Sequence, residues 1–177
     1  LMTFMTTEEL ATRVYVPDAE DGPDVAAMQA AIEAAGCTLS LIDMTSDIGV
    51  PAFTAVISDP VEQGARVTQY AHSGGSACHP LHRRALEKAI VEAAQSRITR
   101  ITGSRDDLPA GLYGAAEGED RQAVAGLLSF AGIDPRASRC RRPPSCALGD
   151  TPQENVAILL ERLRERGIDE AVAVPIA

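Results

Sequence analysis

Between Pro80 and Ile101 the sequence has no interior glycine or proline and repeats its apolar residues at helical spacing. That commits the stretch to one long helix with a buried side. Projected at about 100° per residue, Leu86, Ala89, Ile90, Ala93, Ala94 and Ile101 fall on one face, and Lys88, Glu92, Gln95 and Thr99 on the other. Such a helix needs a broad apolar partner, yet the chain has three Phe, three Tyr and no Trp within a hydrophobic fraction of 45%. Ala, Val, Leu and Ile must therefore build the core, and the expected fold class is α/β, with layered antiparallel or mixed sheets packed against helices.

Upstream of the helix, His72-Ser73-Gly74-Gly75-Ser76 reads as a glycine-rich loop, with Pro80 expected in the helix's first turn. Such a loop can offer backbone N–H groups and the positive end of the helix dipole to phosphate. It lacks the Lys-Ser/Thr ending of a P-loop and the GxGxxG spacing of a dinucleotide site, so a plain strand-to-helix connection fits the same residues.

The remaining pattern predicts strands over 13–16, 38–44, 51–58 and 66–71, with 38–44 and 51–58 forming a hairpin. A helix over 24–35, apolar at Val25, Met28, Ile32 and Ala35, stops at Gly36. A shorter helix is expected over 119–131, and a last one over 150–166, capped by Asp150 or Thr151 with Glu154 reaching back and ended by Gly167. Residues 168–174 then read as a returning strand, and 103–118 and 134–149 as irregular. At 177 residues the chain fits one domain or a large piece of one.

Sixteen Lys and Arg against 25 Asp and Glu give a net charge of -9, which opposes general affinity for nucleic acid or an anionic membrane. No apolar run approaches the roughly 20 residues that cross a bilayer, and no secretion signal opens the chain. A cytosolic protein with reduced thiols is expected.

Glu92 and Gln95 are three apart, so their oxygens can converge on one ion from a single helical face. A carboxylate with an amide oxygen suits Mg2+, which takes one or two protein ligands beside substrate phosphates. The structural alternative pairs Glu92 with Lys88 one turn earlier and leaves Gln95 solvated. Arg97 projects into the apolar stripe, where an unpaired guanidinium is costly, so it must meet an anion or the helix must distort.

Several spaced segments agree in order with a known family. Gly75-Ser76-Ala77-Cys78-His79-Pro80, the run from Ala85 through Glu92 and Gln95 to Arg97, Gly103-Ser104-Arg105-Asp106-Asp107, and the segment from Asp43 to Phe53 before them resemble the YcaO family. The resemblance implies an ATP-dependent enzyme that modifies backbone amides of ribosomally made peptides, as a cyclodehydratase or a thioamide-forming enzyme. A Cys, Ser or Thr side chain, or a sulfide donor, would attack the carbonyl; the amide oxygen would be phosphorylated and leave as phosphate. It further implies ATP and Mg2+ as cofactors, with Glu92 and Gln95 as the metal and nucleotide pair. Ser76, Arg97 and Arg105 are the expected phosphate contacts. The partners implied are a peptide substrate, a TfuA-like sulfur-delivery or leader-binding protein, and a second copy in a homodimer.

Residues 1–177 are then expected to form a single, incomplete YcaO-like domain with half a site. Nothing before Arg13 matches the family's first acidic motif, Glu8-Glu9 lacking its surroundings, and the proline-rich tail is absent. Glu87 and Lys88 replace an apolar residue and an Arg. A YcaO-like module that binds a peptide or partner without turnover is the rival function. Two smaller alternatives are a zinc site from Cys78, His79, His82, Cys140 and Cys146, and Cys78 as a nucleophile. The basic run Arg136, Arg139, Arg141 and Arg142 reads either as a solvated loop or as a dock for an acidic leader peptide.

Overall fold

A computed structural model of the chain describes residues 12–58, 72–102 and 140–175. Its framework is a four-stranded antiparallel sheet in the order β1 (Val14–Tyr15), β2 (Thr38–Asp43), β3 (Ala52–Ser58), β4 (His72–Cys78). The expected hairpin is present: β2 and β3 pair along their lengths, from Thr38 opposite Ser58 to Asp43 opposite Phe53. Alternation assigns the faces. Phe53, Ala55 and Ile57 of β3 join Leu41 and Tyr15 in the core with Val25, Leu86, Ala89, Ile90 and Ala93, whereas Thr54 and Val56 are buried on the other face.

Helix α1 (Pro23–Ala34) lays Val25, Met28 and Ile32 on that core. Ala35 is exposed. Its stop is a Schellman motif: Gly36, at φ 76°, sends its N–H to the Glu33 carbonyl while the Cys37 N–H reaches Ile32. The last helix, α3 (Pro152–Arg164), starts with the expected capping box between Thr151 and Glu154 and ends on the same motif at Gly167. Residues 168–174 do not form the expected strand; Val172 and Val174 lie exposed. A β-prone run becomes a strand only beside an edge that completes its hydrogen bonds, and no described residue offers one here.

The long helix, α2 (His82–Thr102), crosses the sheet over β3 and β4. Leu86, Ala89, Ile90 and Ala93 are buried as expected, but Ile101 is 67% exposed. At about 1.5 Å per residue a helix of this length overshoots strands that rise about 3.3 Å per residue over a third as many positions. Pro80 precedes the helix rather than lying in its first turn. No described helix is long and apolar enough to cross a membrane. The strand expected over 66–71, the helix over 119–131 and the segment holding Arg105 lie outside the described residues.

Candidate functional site

The stretch expected as a glycine loop is strand β4. Gly75 is there for close packing: an added Cβ would lie 2.2 Å from the Ala93 nitrogen and 2.6 Å from the Glu92 carbonyl carbon, so α2 rests directly on the strand. At the start of α2 the His82 N–H is already capped by the Ser145 hydroxyl at 3.1 Å.

What the strand provides is an edge. Within the described sheet β4 is outermost, and Ser76, opposite Thr54, turns its N–H outward. Glu92 reaches from α2 to that edge, and its Oε2 accepts the Ser76 N–H at 3.2 Å. The Ser76 hydroxyl meets Thr54 Oγ1 at 2.9 Å on the face away from α2. Glu92 thus has a backbone partner in β4, where the sequence alternative had offered Lys88.

Gln95 lies one turn beyond Glu92, and both are exposed. Arg97 is half-buried and has an interaction partner. Among the described residues no three His, Cys, Asp or Glu converge as a metal site. The donor set at this edge is therefore all-oxygen: one carboxylate with one oxygen already anchored, and one amide beside it. That suits Mg2+, which completes its shell with water and phosphate, better than a soft metal needing several protein ligands.

A family model described as YcaO cyclodehydratase, ATP- and Mg2+-binding, matches residues 2–176. The chain belongs to the YcaO family. A Rhizobium leguminosarum bv. trifolii relative, described as an uncharacterized protein in the tfuA 3' region, is 41% identical over 81% of this chain and 34% of its own length. An uncharacterized protein of Methanothermobacter thermautotrophicus is 36% identical over 42% of the chain and 18% of its own length. Among solved structures, a heterocyclase in complex with substrate and cofactor superposes with a TM-score of 0.60 at 17% identity, and the heterocyclase TruD with 0.59 at 19%. Each superposition covers 89% of this chain and 20% of the other, so the fold is shared. The chain spans about a third of the length of its Rhizobium relative.

This YcaO chain also holds a polar cluster that its sequence did not announce. Asp21, fully buried, accepts from the Tyr15 hydroxyl at 2.8 Å, from His82 Nε2 at 2.7 Å, from the Asp18 N–H at 2.8 Å and from Arg142 Nε at 3.3 Å. Arg142 also pairs with Asp18 and Glu20. It is therefore spoken for, and the basic run loses this member as a free dock; Arg141 is exposed, while Arg136 and Arg139 lie outside the described residues. Spacing could not reveal the cluster because Arg142 and Asp21 are 121 positions apart.

His82 Nδ1 lies 3.4 Å from Ser145 Oγ, so Ser145, His82 and Asp21 stand in the order of a hydrolytic triad. Ser145 already accepts the helix N–H, however, and Arg142 shares Asp21. The arrangement is a strut joining β1, α2 and residues 142–145. The same bonds keep His82 out of a zinc site, and the His79 ring accepts the Leu81 N–H. Burial, with Cys146 adding to it, pushes the Cys78 thiol up, which opposes a nucleophilic role.

Burial alone would raise the Asp21 carboxyl, but hydrogen bonds from Asp18, His82, Tyr15 and Arg142 outweigh it and hold it below the usual range. A depressed carboxyl contributes stability that is complete above the unfolded value of about 3.9 and is lost as pH falls through the folded value. Urea unfolding at pH 6 and pH 3 should therefore show a larger acid loss for the wild type than for Asp21→Asn. Equal losses would remove Asp21 as the cause.

Proposed function

We propose that this chain supplies the Glu92–Gln95 portion of an ATP- and Mg2+-dependent enzyme that activates backbone amides of a ribosomally made peptide, by azoline cyclodehydration or thioamide formation. The observation that carries the reading is the Glu92 carboxylate anchored at the β4 edge with Gln95 beside it, in a chain matched by the YcaO family over residues 2–176. Glu92 and Gln95 would hold the metal, and Arg97 and Arg105 would face the phosphates; the Ser76 hydroxyl, turned to Thr54 on the face away from α2, would not. Bound Mg2+ supplies charge stabilisation during phosphoryl transfer. The amide oxygen is a poor leaving group until phosphorylated, which gives ATP its place in the reaction. A TfuA-like partner is in keeping with the relative described from the tfuA 3' region. Both superposed structures are heterocyclases, one in complex with substrate and cofactor, in keeping with a peptide-modifying role.

Glu92→Gln tests the reading, because glutamine can still accept the Ser76 N–H while removing the charge. ATP with Mg2+ at a hundred times its dissociation constant should stabilise the wild type by about 2.7 kcal/mol, and EDTA should abolish the effect. Glu92→Gln should melt within about 0.5 kcal/mol of the wild type without ligand and show no metal-dependent shift. A full shift in the variant would overturn the assignment. No shift in the wild type would favour a YcaO-like module that binds a partner without turnover.

A further inference from the structure

Glu92 is held at two points by two consecutive residues of β4. Its own peptide unit rests on Gly75, where a Cβ would fall 2.6 Å from the Glu92 carbonyl carbon, and its carboxylate takes the N–H of Ser76. Ser76 is itself fixed by direct pairing with Thr54, which is 3% exposed and lies 2.9 Å from the Ser76 hydroxyl. An exposed glutamate on a helix ordinarily samples several rotamers, and holding it in one of them costs side-chain entropy.

We propose that the Gly75–Ser76 edge is a seat that positions Glu92, the Ser76 N–H holding Oε2 so that the second carboxylate oxygen is presented to a divalent cation before nucleotide arrives. The inference rests on the ATP and Mg2+ reading and adds to it a positioning role for backbone groups of β4. Edge N–H groups also invite pairing with other strands, and a carboxylate laid on the edge would block that. The two roles differ in what metal binding does to the bond. A positioning bond persists in the metal complex, whereas a mere edge cover is released when the carboxylate turns to the ion.

The test exploits the outward N–H, since proline is tolerated on an edge strand where no ladder bond is lost. Ser76→Ala and Ser76→Pro both lack the hydroxyl, and only the second also lacks the N–H. The Mg2+ concentration giving half of the ATP-dependent thermal shift should be at least about tenfold higher for Ser76→Pro than for Ser76→Ala, a difference of about 1.4 kcal/mol. Equal values overturn the inference.

A second measurement needs no proline. In the wild type the Ser76 amide should exchange slowly with solvent and stay protected when Mg2+ and ATP bind, and Glu92→Ala should speed its exchange about tenfold, again near 1.4 kcal/mol. Protection kept in Glu92→Ala, or lost on binding, overturns the positioning role. Mn2+ with ATP should broaden the amide resonances around Glu92. If it broadens none of them, the ATP and metal reading falls and takes this inference with it; broadening with equal half-points for the two Ser76 variants removes the inference alone.

Discussion

Gly75→Ala should be among the most destabilising single-methyl additions available to this chain, lowering unfolding free energy by about 3 kcal/mol or more. The new Cβ would meet the Ala93 nitrogen at 2.2 Å, the Ala89 carbonyl oxygen at 2.6 Å and the Glu92 carbonyl carbon at 2.6 Å. All three are main-chain atoms, so no rotamer change relieves the contact. The helix must lift off β4, and the core beneath it, which includes Leu86, Ala89, Ile90 and Ala93, must open with it. Against a domain stability of typically about 5–15 kcal/mol, the variant should unfold at markedly lower urea with an unchanged slope. A midpoint equal to the wild type would show that α2 does not rest on Gly75. The same lift would carry Glu92 away from Ser76, so metal-dependent ATP stabilisation should weaken in whatever folded fraction remains.

The residue that makes this prediction is also where sequence reasoning misread the chain. Two adjacent glycines before a helix carry the compositional signal of a loop, because glycine permits turns. The same residue serves equally where two backbones approach, and only the partner tells the uses apart. That partner, the Ala89–Ala93 turn, lies beyond the reach of local pattern. By contrast, the buried stripe from Leu86 to Ala93, the β2–β3 hairpin and both glycine-stopped helices were legible because each is set by residues within a few positions of one another. Residues 168–174 failed for the complementary reason: a strand is a property of a pair, and one sequence cannot show whether an edge is waiting.

The candidate site divides along the same line. That Glu92 and Gln95 share an exposed face follows from helical spacing, and the structure keeps them there. That Glu92 would be anchored by a backbone N–H of β4 depends on where α2 crosses the sheet. The crossing is set by small residues, Gly75 below and Ala89 and Ala93 above, whose importance composition does not advertise.

The buried cluster gives the second large effect. Asp21→Ala should cost about 3–5 kcal/mol, the range for breaking a buried ion pair from one side. The loss would come less from the missing carboxylate than from what it leaves behind. The Tyr15 hydroxyl and His82 Nε2 would each lose their acceptor in a region where Asp21 is fully buried and Tyr15 nearly so, whereas Arg142 Nε would keep the Tyr15 hydroxyl at 3.1 Å. Burial, and then the carboxylate it donates to, push the Tyr15 phenol above its usual range, so it remains a neutral donor in need of an acceptor at every working pH. Arg142 keeps Asp18 and Glu20 at the surface, which limits its share of the loss. Most of the cost should therefore fall on Tyr15 and His82, and a double-mutant cycle can separate the shares. Coupling of Asp21→Ala with His82→Ala should exceed its coupling with Arg142→Ala. Because the strut joins β1, the start of α2 and residues 142–145, its loss should release that segment before the sheet melts, giving faster amide exchange at Cys146, whose N–H bonds the Pro80 carbonyl at 2.8 Å. An Asp21→Ala protein within about 1 kcal/mol of the wild type, or a cycle dominated by Arg142, would show that the cluster is a surface ion pair of the ordinary weak kind.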